Sequence, residues 1–211
     1  IKWAWAKFGA KGQGVRVTDC EYNFQQLHED MRGLVSVQPG VTSFFFFTNK
    51  PNDDNHGTAS LGVLKAAENE YGMTGTVPAA DAHFYADAMT NSSGLRQTRS
   101  ATITAAAAAS KAGDVLLLEM QTLGNYHPAS GISSGWEYGP AELDQNVYTA
   151  VKTATSANVI VVAAAGNGAQ NLDSTNYSEY MARPSSGAII VGAGASAEPS
   201  YSRSILYFST Y

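Results

Sequence analysis

Three polar side chains in this 211-residue sequence lie at the ends of apolar segments and could act together in acyl transfer. Asp19 follows the strand-like run of residues 15–18, and His56 lies at the start of a predicted helix with small residues. Asn167 follows the apolar run 159–165 and lies between two glycines. A carboxylate can orient an imidazole, an imidazole can act as a general base, and an amide can donate a hydrogen bond to an oxyanion. The three residue types therefore indicate nucleophilic catalysis, provided that the fold brings them together.

The elements that must position these residues follow the pattern of an α/β protein. Short apolar runs alternate with longer helix-compatible stretches, which predicts a three-layer αβα fold with a mostly parallel central sheet. The predicted strands are residues 15–18, 44–47, 82–86, 115–119, 159–163 and 188–191, and the clearest predicted helices are 98–111 and 141–156. No linker or repeat divides the chain, so we expect a single domain over residues 1–211. In such folds the ligand site lies at the carboxyl ends of the strands.

Composition excludes several classes of protein. Thirteen basic and eighteen acidic side chains give a net charge of −5, and 44% of the residues are hydrophobic. A nucleic-acid-binding face needs an excess of basic residues, and a disordered chain carries more charge and fewer apolar residues. No apolar run reaches the roughly 18 residues that indicate a membrane-spanning helix. We therefore expect neither nucleic acid nor membrane as a partner.

The segments around these three residues resemble, in their order, the subtilisin-like serine peptidases, or subtilases. The most specific match is His56-Gly57-Thr58 followed by Gly62, and the A-A-A-G-N-G segment at 163–168 is similar to the family's A-A-G-N strand. Residues 28–31 (H-E-D-M) resemble the family's H-P-D-L, and residues 208–211 (F-S-T-Y) resemble its F-S-N-Y. The resemblance covers the whole chain and implies the subtilisin-like fold.

The resemblance also implies a role for each residue. Asp19 would accept a hydrogen bond from His56, His56 would be the general base and then the general acid, and Asn167 would donate to the oxyanion. A polypeptide substrate would lie as an added strand between two edges. These implied substrate-binding edges are Ser93, Gly94 and Leu95 on one side and Thr122, Leu123 and Gly124 on the other. The implied activity is that of a serine endopeptidase working through an acyl-enzyme.

The nucleophile that the family requires is absent from these 211 residues, which contain no G-T-S-x-A segment. Ser196 is an unsuitable substitute, because Pro199 interrupts the helix that the family's serine begins. We therefore expect the catalytic serine beyond residue 211. This expectation suggests two partners for the chain: a removed propeptide, or a cleaved C-terminal part of the same protein. The Asp19 match itself departs from the family, since Cys20 and Glu21 replace the usual Ser or Thr and Gly.

Two other functions remain open on the sequence. One is a catalytically inactive subtilase fold that binds peptides. The other is a dinucleotide-binding module, because residues 189–197 place G-x-G-x-x-A after a strand, although Pro199 follows where a helix should begin. A sedolisin-type site would use Glu119, but the H-G-T segment at 56–58 argues against it.

Location and cofactors follow from the resemblance alone. Subtilases of this kind are mostly secreted, so we expect an extracellular protein. Their chemistry requires no metal ion, and many members bind structural calcium. The acidic pair Asp53 and Asp54 lacks a defined ligand spacing, so the sequence assigns no metal site.

Overall fold

A computed structural model describes residues 1–39, 41–44, 54–87, 89–91, 98–124, 137–196 and 204–211. The strands are β1 (Arg16–Glu21), β2 (Val35–Val37), β3 (Val41–Phe44), β4 (Asp81–Ala86), β5 (Met89–Asn91), β6 (Val115–Leu118), β7 (Gln121–Leu123), β8 (Tyr138–Pro140), β9 (Ile160–Ala164) and β10 (Ile189–Val191). The α-helices are α1 (Lys2–Phe8), α2 (Asn55–Lys65), α3 (Arg99–Ala108), α4 (Gln145–Ser156) and α5 (Ser178–Met181).

A parallel sheet organises the described residues. Its strand order is β10-β9-β6-β1-β4-β2, and every neighbouring pair in it is parallel. Two small antiparallel pairs, β3 with β5 and β7 with β8, lie outside it. Because parallel strands end at the same edge, the residues that follow β1, β6 and β9 come together there. The sheet flanked by helices confirms the predicted α/β class.

Two apolar cores cover the two faces of the sheet. Strand residues alternate between faces, so neighbouring Phe84 and Tyr85 of β4 belong to different cores. The larger core packs α3 and α4, through residues such as Ile103 and Val151, against β6 and β9. The smaller core packs Leu61 of α2 against Phe84. Helix α2 and the site residues of β1 therefore share one face of the sheet.

The end of β1 differs from the predicted strand end, and this difference changes which residue lies at the edge of the sheet. Strand β1 continues through Glu21, whereas the sequence predicted a strand over residues 15–18. Its last five residues are buried between β4 and β6, so ladder hydrogen bonds and packing extend the strand through polar residues. The predicted strand 44–47 meets the described residues only at Phe44, the last residue of β3.

The predicted helix over residues 141–156 is divided in two. A 3₁₀ turn covers Ala141–Leu143, and α4 begins after Asp144, whose Oδ1 accepts hydrogen bonds from the backbone N–H groups of Asn146 and Val147. This side-chain cap sets the start of the helix. Within the described residues, no helix is both long enough and apolar enough to cross a membrane.

Candidate active site

Glu21 and His56 form the centre of the candidate site. Glu21 is the last residue of β1 and is fully buried. His56 lies in the first turn of α2, and 58% of its side chain is exposed. The Nδ1 of His56 donates a hydrogen bond to Oε2 of Glu21, because a carboxylate can only accept. The proton therefore lies on Nδ1, and Nε2 is left as an acceptor.

The carboxylate of Glu21 is held at both oxygens. Its Oε1 accepts a hydrogen bond of 2.7 Å from the backbone N–H of Tyr22, while Oε2 faces the imidazole. The hydrogen bond to Glu21 raises the pKa of His56 above its ordinary value, although partial burial of the ring works in the opposite direction. A fixed carboxylate that stabilises the imidazolium is the electrostatic arrangement that a general base needs.

Gly57 allows α2 to approach the end of β1. A Cβ at this position would overlap the backbone carbonyl of Asn23 and the side chain of Glu21. The absence of a side chain at Gly57 therefore lets α2 pack closely enough to bring His56 within reach of the strand.

Asp19 does not make the hydrogen bond to His56 that the sequence predicted. It is fully buried, and neither of its carboxylate oxygens has a hydrogen-bond partner among the described residues. Burial, together with the charges of Glu21 and Glu119, raises the pKa of Asp19 well above its ordinary value. The neutral acid is the form that this environment favours, and the imidazole contacts Glu21 instead.

Sequence reasoning missed Glu21 because it ended the first strand too early. The sequence predicts Asp19 as the carboxylate at the strand end, but the structure places Glu21 there, before the loop at Asn23. The signal was present in the alternation of the segment T-D-C-E. Cys20 points into the larger core, so Asp19 and Glu21 share the face that α2 covers.

Glu119 is a second carboxylate beside the pair. It directly follows β6 and is half-buried, and its backbone N–H donates a hydrogen bond of 3.2 Å to the carbonyl of Cys20. One ligand atom from each of Glu21, His56 and Glu119 lies within 4.8 Å of the other two. Burial raises the pKa of Glu119, and the nearby charge of Glu21 raises it further.

Asn167 lies in the loop after β9, at the same edge of the sheet. Its side chain is exposed, while its backbone N–H donates a hydrogen bond of 2.8 Å to Oε1 of Gln121. Gly166 before it has a φ of 100°, in the region that favours glycine. A Cβ at Gly166 or at Gly168 would collide with the backbone at Tyr138. The loop is therefore fixed by close backbone packing while the amide of Asn167 faces outward.

The predicted substrate edge at Thr122 and Leu123 forms the end of β7. This strand pairs with β8, and the next residue, Gly124, donates a backbone hydrogen bond of 2.6 Å to the carbonyl of Glu137. The side chain of Leu123 is exposed. The other predicted edge, Ser93, Gly94 and Leu95, lies outside the described residues.

Arg99 links the first turn of α3 to this edge. Its Nε lies 2.9 and 3.0 Å from the two carboxylate oxygens of buried Asp87, and its Nη1 donates a 2.7 Å hydrogen bond to the carbonyl of Gln121. The same Gln121 supports the backbone of Asn167 through its side chain. Arg99 and Gln121 were not predicted as site residues, because each acts through contacts that only the tertiary fold creates.

The sequence alternative of a dinucleotide site needs a helix after the glycines that follow β10, and only part of that region is described. Residues 192–196 and 204–211 contain an isolated bridge between Gly194 and Ile205 and no helix. Pyrophosphate binding in that fold depends on a helix N-terminus after the glycines. The described residues supply no such helix, and residues 197–203, where it would begin, lie outside them.

Comparison with known proteins gives a consistent result. The chain matches the profile of the Subtilase family over residues 19–211. It is similar in structure to the psychrophilic subtilisin-like protease Apa1 from the Antarctic Pseudoalteromonas sp. AS-11, with a TM-score of 0.62 and 18% identity, over 100% of this chain and 42% of that one. It is also similar to the nisin leader peptidase NisP from Lactococcus lactis, with a TM-score of 0.58 and 20% identity, over 95% of this chain and 60% of that one.

A third similar structure is the epidermin leader peptide processing serine protease from Staphylococcus aureus, with a TM-score of 0.59 and 16% identity, over 99% of this chain and 52% of that one. No curated protein matches the sequence significantly. The chain thus spans less than two thirds of the length of these structures, and the likeness shows the fold they share. Because the family profile matches nearly all of its residues, the chain belongs to the subtilase family.

Proposed function

We propose that this protein is a serine endopeptidase that cleaves polypeptides through an acyl-enzyme. The observation that carries the proposal is the hydrogen bond between Glu21 and His56 at the carboxyl edge of the sheet of a subtilase-family chain. Glu21 takes the orienting role that the sequence suggested for Asp19. Asn167 follows a neighbouring strand end at the same edge and supplies the oxyanion donor.

The nucleophile in this proposal is a serine that follows residue 211 in a longer protein. The absence of a G-T-S-x-A segment from the sequence supports this placement, as does the length of the chain relative to similar structures. Residues 208–211 lie against the loop of Asn167, so any chain that follows residue 211 starts beside the candidate site. The backbone N–H of Thr210 donates a 2.9 Å hydrogen bond to the carbonyl of Gly166.

The proposed mechanism uses the free nitrogen of His56. Nε2 takes the proton of the serine hydroxyl as the serine oxygen bonds to the scissile carbonyl carbon, and Glu21 stabilises the resulting imidazolium. The carbonyl oxygen becomes an oxyanion that accepts a hydrogen bond from Asn167. His56 then returns the proton to the leaving amine as the peptide bond breaks. A water molecule then loses a proton to His56 and attacks the acyl-enzyme. The ester bond breaks, the carboxylic acid product leaves, and the serine regains its proton from His56.

The substrate in this proposal binds as an extended strand beside Leu123. The exposure of that side chain and the position of β7 beside the loop of Asn167 support this placement. Ser93, Gly94 and Leu95 remain the proposed opposite edge. Extracellular action and a propeptide remain part of the proposal on the basis of family membership, and the chemistry itself uses no metal ion.

Labelling with a fluorophosphonate tests the proposal. In the protein that includes the segment after residue 211, we expect one covalent label and hydrolysis of a denatured protein substrate. Substitution His56→Ala should abolish both, while the exposed control Glu70→Gln should change neither. If a folded protein with that segment shows no labelling and binds peptides without cleaving them, the inactive peptide-binding alternative is correct.

A further inference from the structure

The cluster of Glu21, His56 and Glu119 has the composition of a transition-metal site. One carboxylate is fully buried and one half-buried, and the third member is an imidazole. Their ligand atoms lie within 4.8 Å of one another. A tetrahedral zinc site with ligand distances of about 2.0–2.2 Å places its ligands roughly 3.4 Å apart. An ion would enter if the hydrogen-bonded pair of Glu21 and His56 opened slightly and Glu119 kept its place within 4.8 Å of both.

The electrostatics of the cluster favour a cation. The negative charges of Glu21 and Glu119 repel each other, whereas a protonated His56 attracts Glu119. A third carboxyl group, Asp19, lies on the same face of β1, is fully buried, has no hydrogen-bond partner among the described residues and interacts with both glutamates. A divalent ion would offset the repulsion between Glu21 and Glu119 and the burial of Asp19 beside them.

We propose that this cluster binds zinc through Glu21, His56 and Glu119, and that bound zinc switches the site off. Imidazole and carboxylate ligands together suit zinc, whereas calcium and magnesium prefer oxygen ligands alone. Three protein ligands leave a fourth position for water. The binding part of this proposal stands on the geometry of the cluster, and the inhibitory part rests on the function proposed above.

Inhibition follows from the tautomer of His56. Zinc would bond to the lone pair of Nδ1, the nitrogen that faces Glu21, and the single proton of the neutral ring would then lie on Nε2. Nε2 could no longer accept a proton from a serine. Zinc would also bind the carboxylate of Glu21, which would then no longer stabilise the imidazolium. Zinc binding and general-base catalysis therefore exclude each other.

Isothermal titration calorimetry with ZnCl₂ at neutral pH tests the binding. We expect saturable binding of one ion per chain, reversal by EDTA, and no comparable binding of Mg²⁺ or Ca²⁺. Glu119→Gln should raise the Kd by at least about tenfold. His56→Asn should do the same, and Glu70→Gln, an exposed glutamate outside the cluster, should leave the Kd unchanged. Circular dichroism checks that each variant is folded, and replacement by Co²⁺ gives a visible absorption that reports coordination by the cluster.

The outcomes separate the two proposals. Loss of affinity in both variants supports the zinc site whether or not the protein hydrolyses peptides. If the wild-type protein does not bind zinc saturably, or if Glu119→Gln and His56→Asn bind it as well as the wild type, the zinc site is wrong. If zinc binds at the cluster but does not slow peptide hydrolysis, the inhibitory role is wrong while the site stands.

Discussion

The imidazole of His56 contacts Glu21 and not Asp19, which lies two residues earlier on the same strand and on the same face. Two residues of an extended strand span about 6.6 Å, so an imidazole at one end of this interval cannot serve both carboxylates equally. The choice is made by α2, whose first turn packs against Asn23 and Glu21 at the end of β1. The start of one helix thus decides which acid serves the base.

Exchanging the two acids for their amides tests this assignment directly. We expect Glu21→Gln to lower kcat by about 10³- to 10⁴-fold, because an amide cannot stabilise the imidazolium and favours the wrong tautomer. Asp19→Asn should lower kcat by far less, since Asp19 does not contact the base. Steady-state hydrolysis of a peptide substrate by the serine-containing protein measures both. A larger loss in Asp19→Asn than in Glu21→Gln would contradict the assignment.

The ionisation of His56 should depend on Glu21. Its pKa is raised by that hydrogen bond, so the base should become neutral, and activity should rise, only as the pH passes above its ordinary value of about 6.5. Glu21→Gln should lower this pKa, and Glu70→Gln should not. NMR titration of the imidazole in the presence of EDTA measures the pKa without requiring activity. An unchanged His56 pKa in Glu21→Gln would show that the contact is not formed in solution.

The same raised pKa links the protonation of His56 to stability. Because the folded protein binds this proton more tightly than the unfolded chain, the stabilisation is fully present below a pH of about 6.5 and is lost as the pH rises through the folded-state pKa. In Glu21→Gln this part of the pH dependence of the free energy of unfolding should disappear.

Gly57→Ala should push α2 away from the end of β1. The new methyl group would meet the carbonyl of Asn23 and the side chain of Glu21, so we expect a loss of about 1–3 kcal/mol of stability together with a large loss of activity. Gly62→Ala on the same helix is the matched control, because its methyl group would meet only the flexible end of Met73. Urea unfolding compares the two. Equal stability in both variants would argue against close packing at Gly57.

Gln121→Ala should disturb the loop of Asn167 without touching the acid and base. Loss of the 2.8 Å hydrogen bond from the backbone of Asn167 would let the oxyanion donor move, and we expect kcat to fall roughly 10- to 100-fold. The exposed Gln26→Ala serves as the control. Single-turnover kinetics with the His56 pKa measured in parallel should show a slower acylation and an unshifted pKa. A normal acylation rate would mean that the loop is held by its glycines alone.

Much of the fold could be predicted from the sequence because its signals are local. The apolar segments that became β4, β6 and β9 have strand length, and the spacing of apolar residues in α4 follows the helical period. The positions of His56 and Asn167 next to an element boundary could be seen for the same reason. The short pairs β3 with β5 and β7 with β8 were missed, since three or four residues carry too little periodicity to distinguish a strand from a loop.

The sequence by itself determined an α/β sheet, a histidine at a helix start and an asparagine after a buried strand. Only the tertiary structure decided that Glu21 rather than Asp19 pairs with His56, and that Gln121 supports Asn167 across 46 residues of chain. The physical reason is that alternation places Asp19 and Glu21 on one face in any case. Which of them meets the base depends on where the strand ends and where α2 packs, and both depend on contacts between segments distant in sequence.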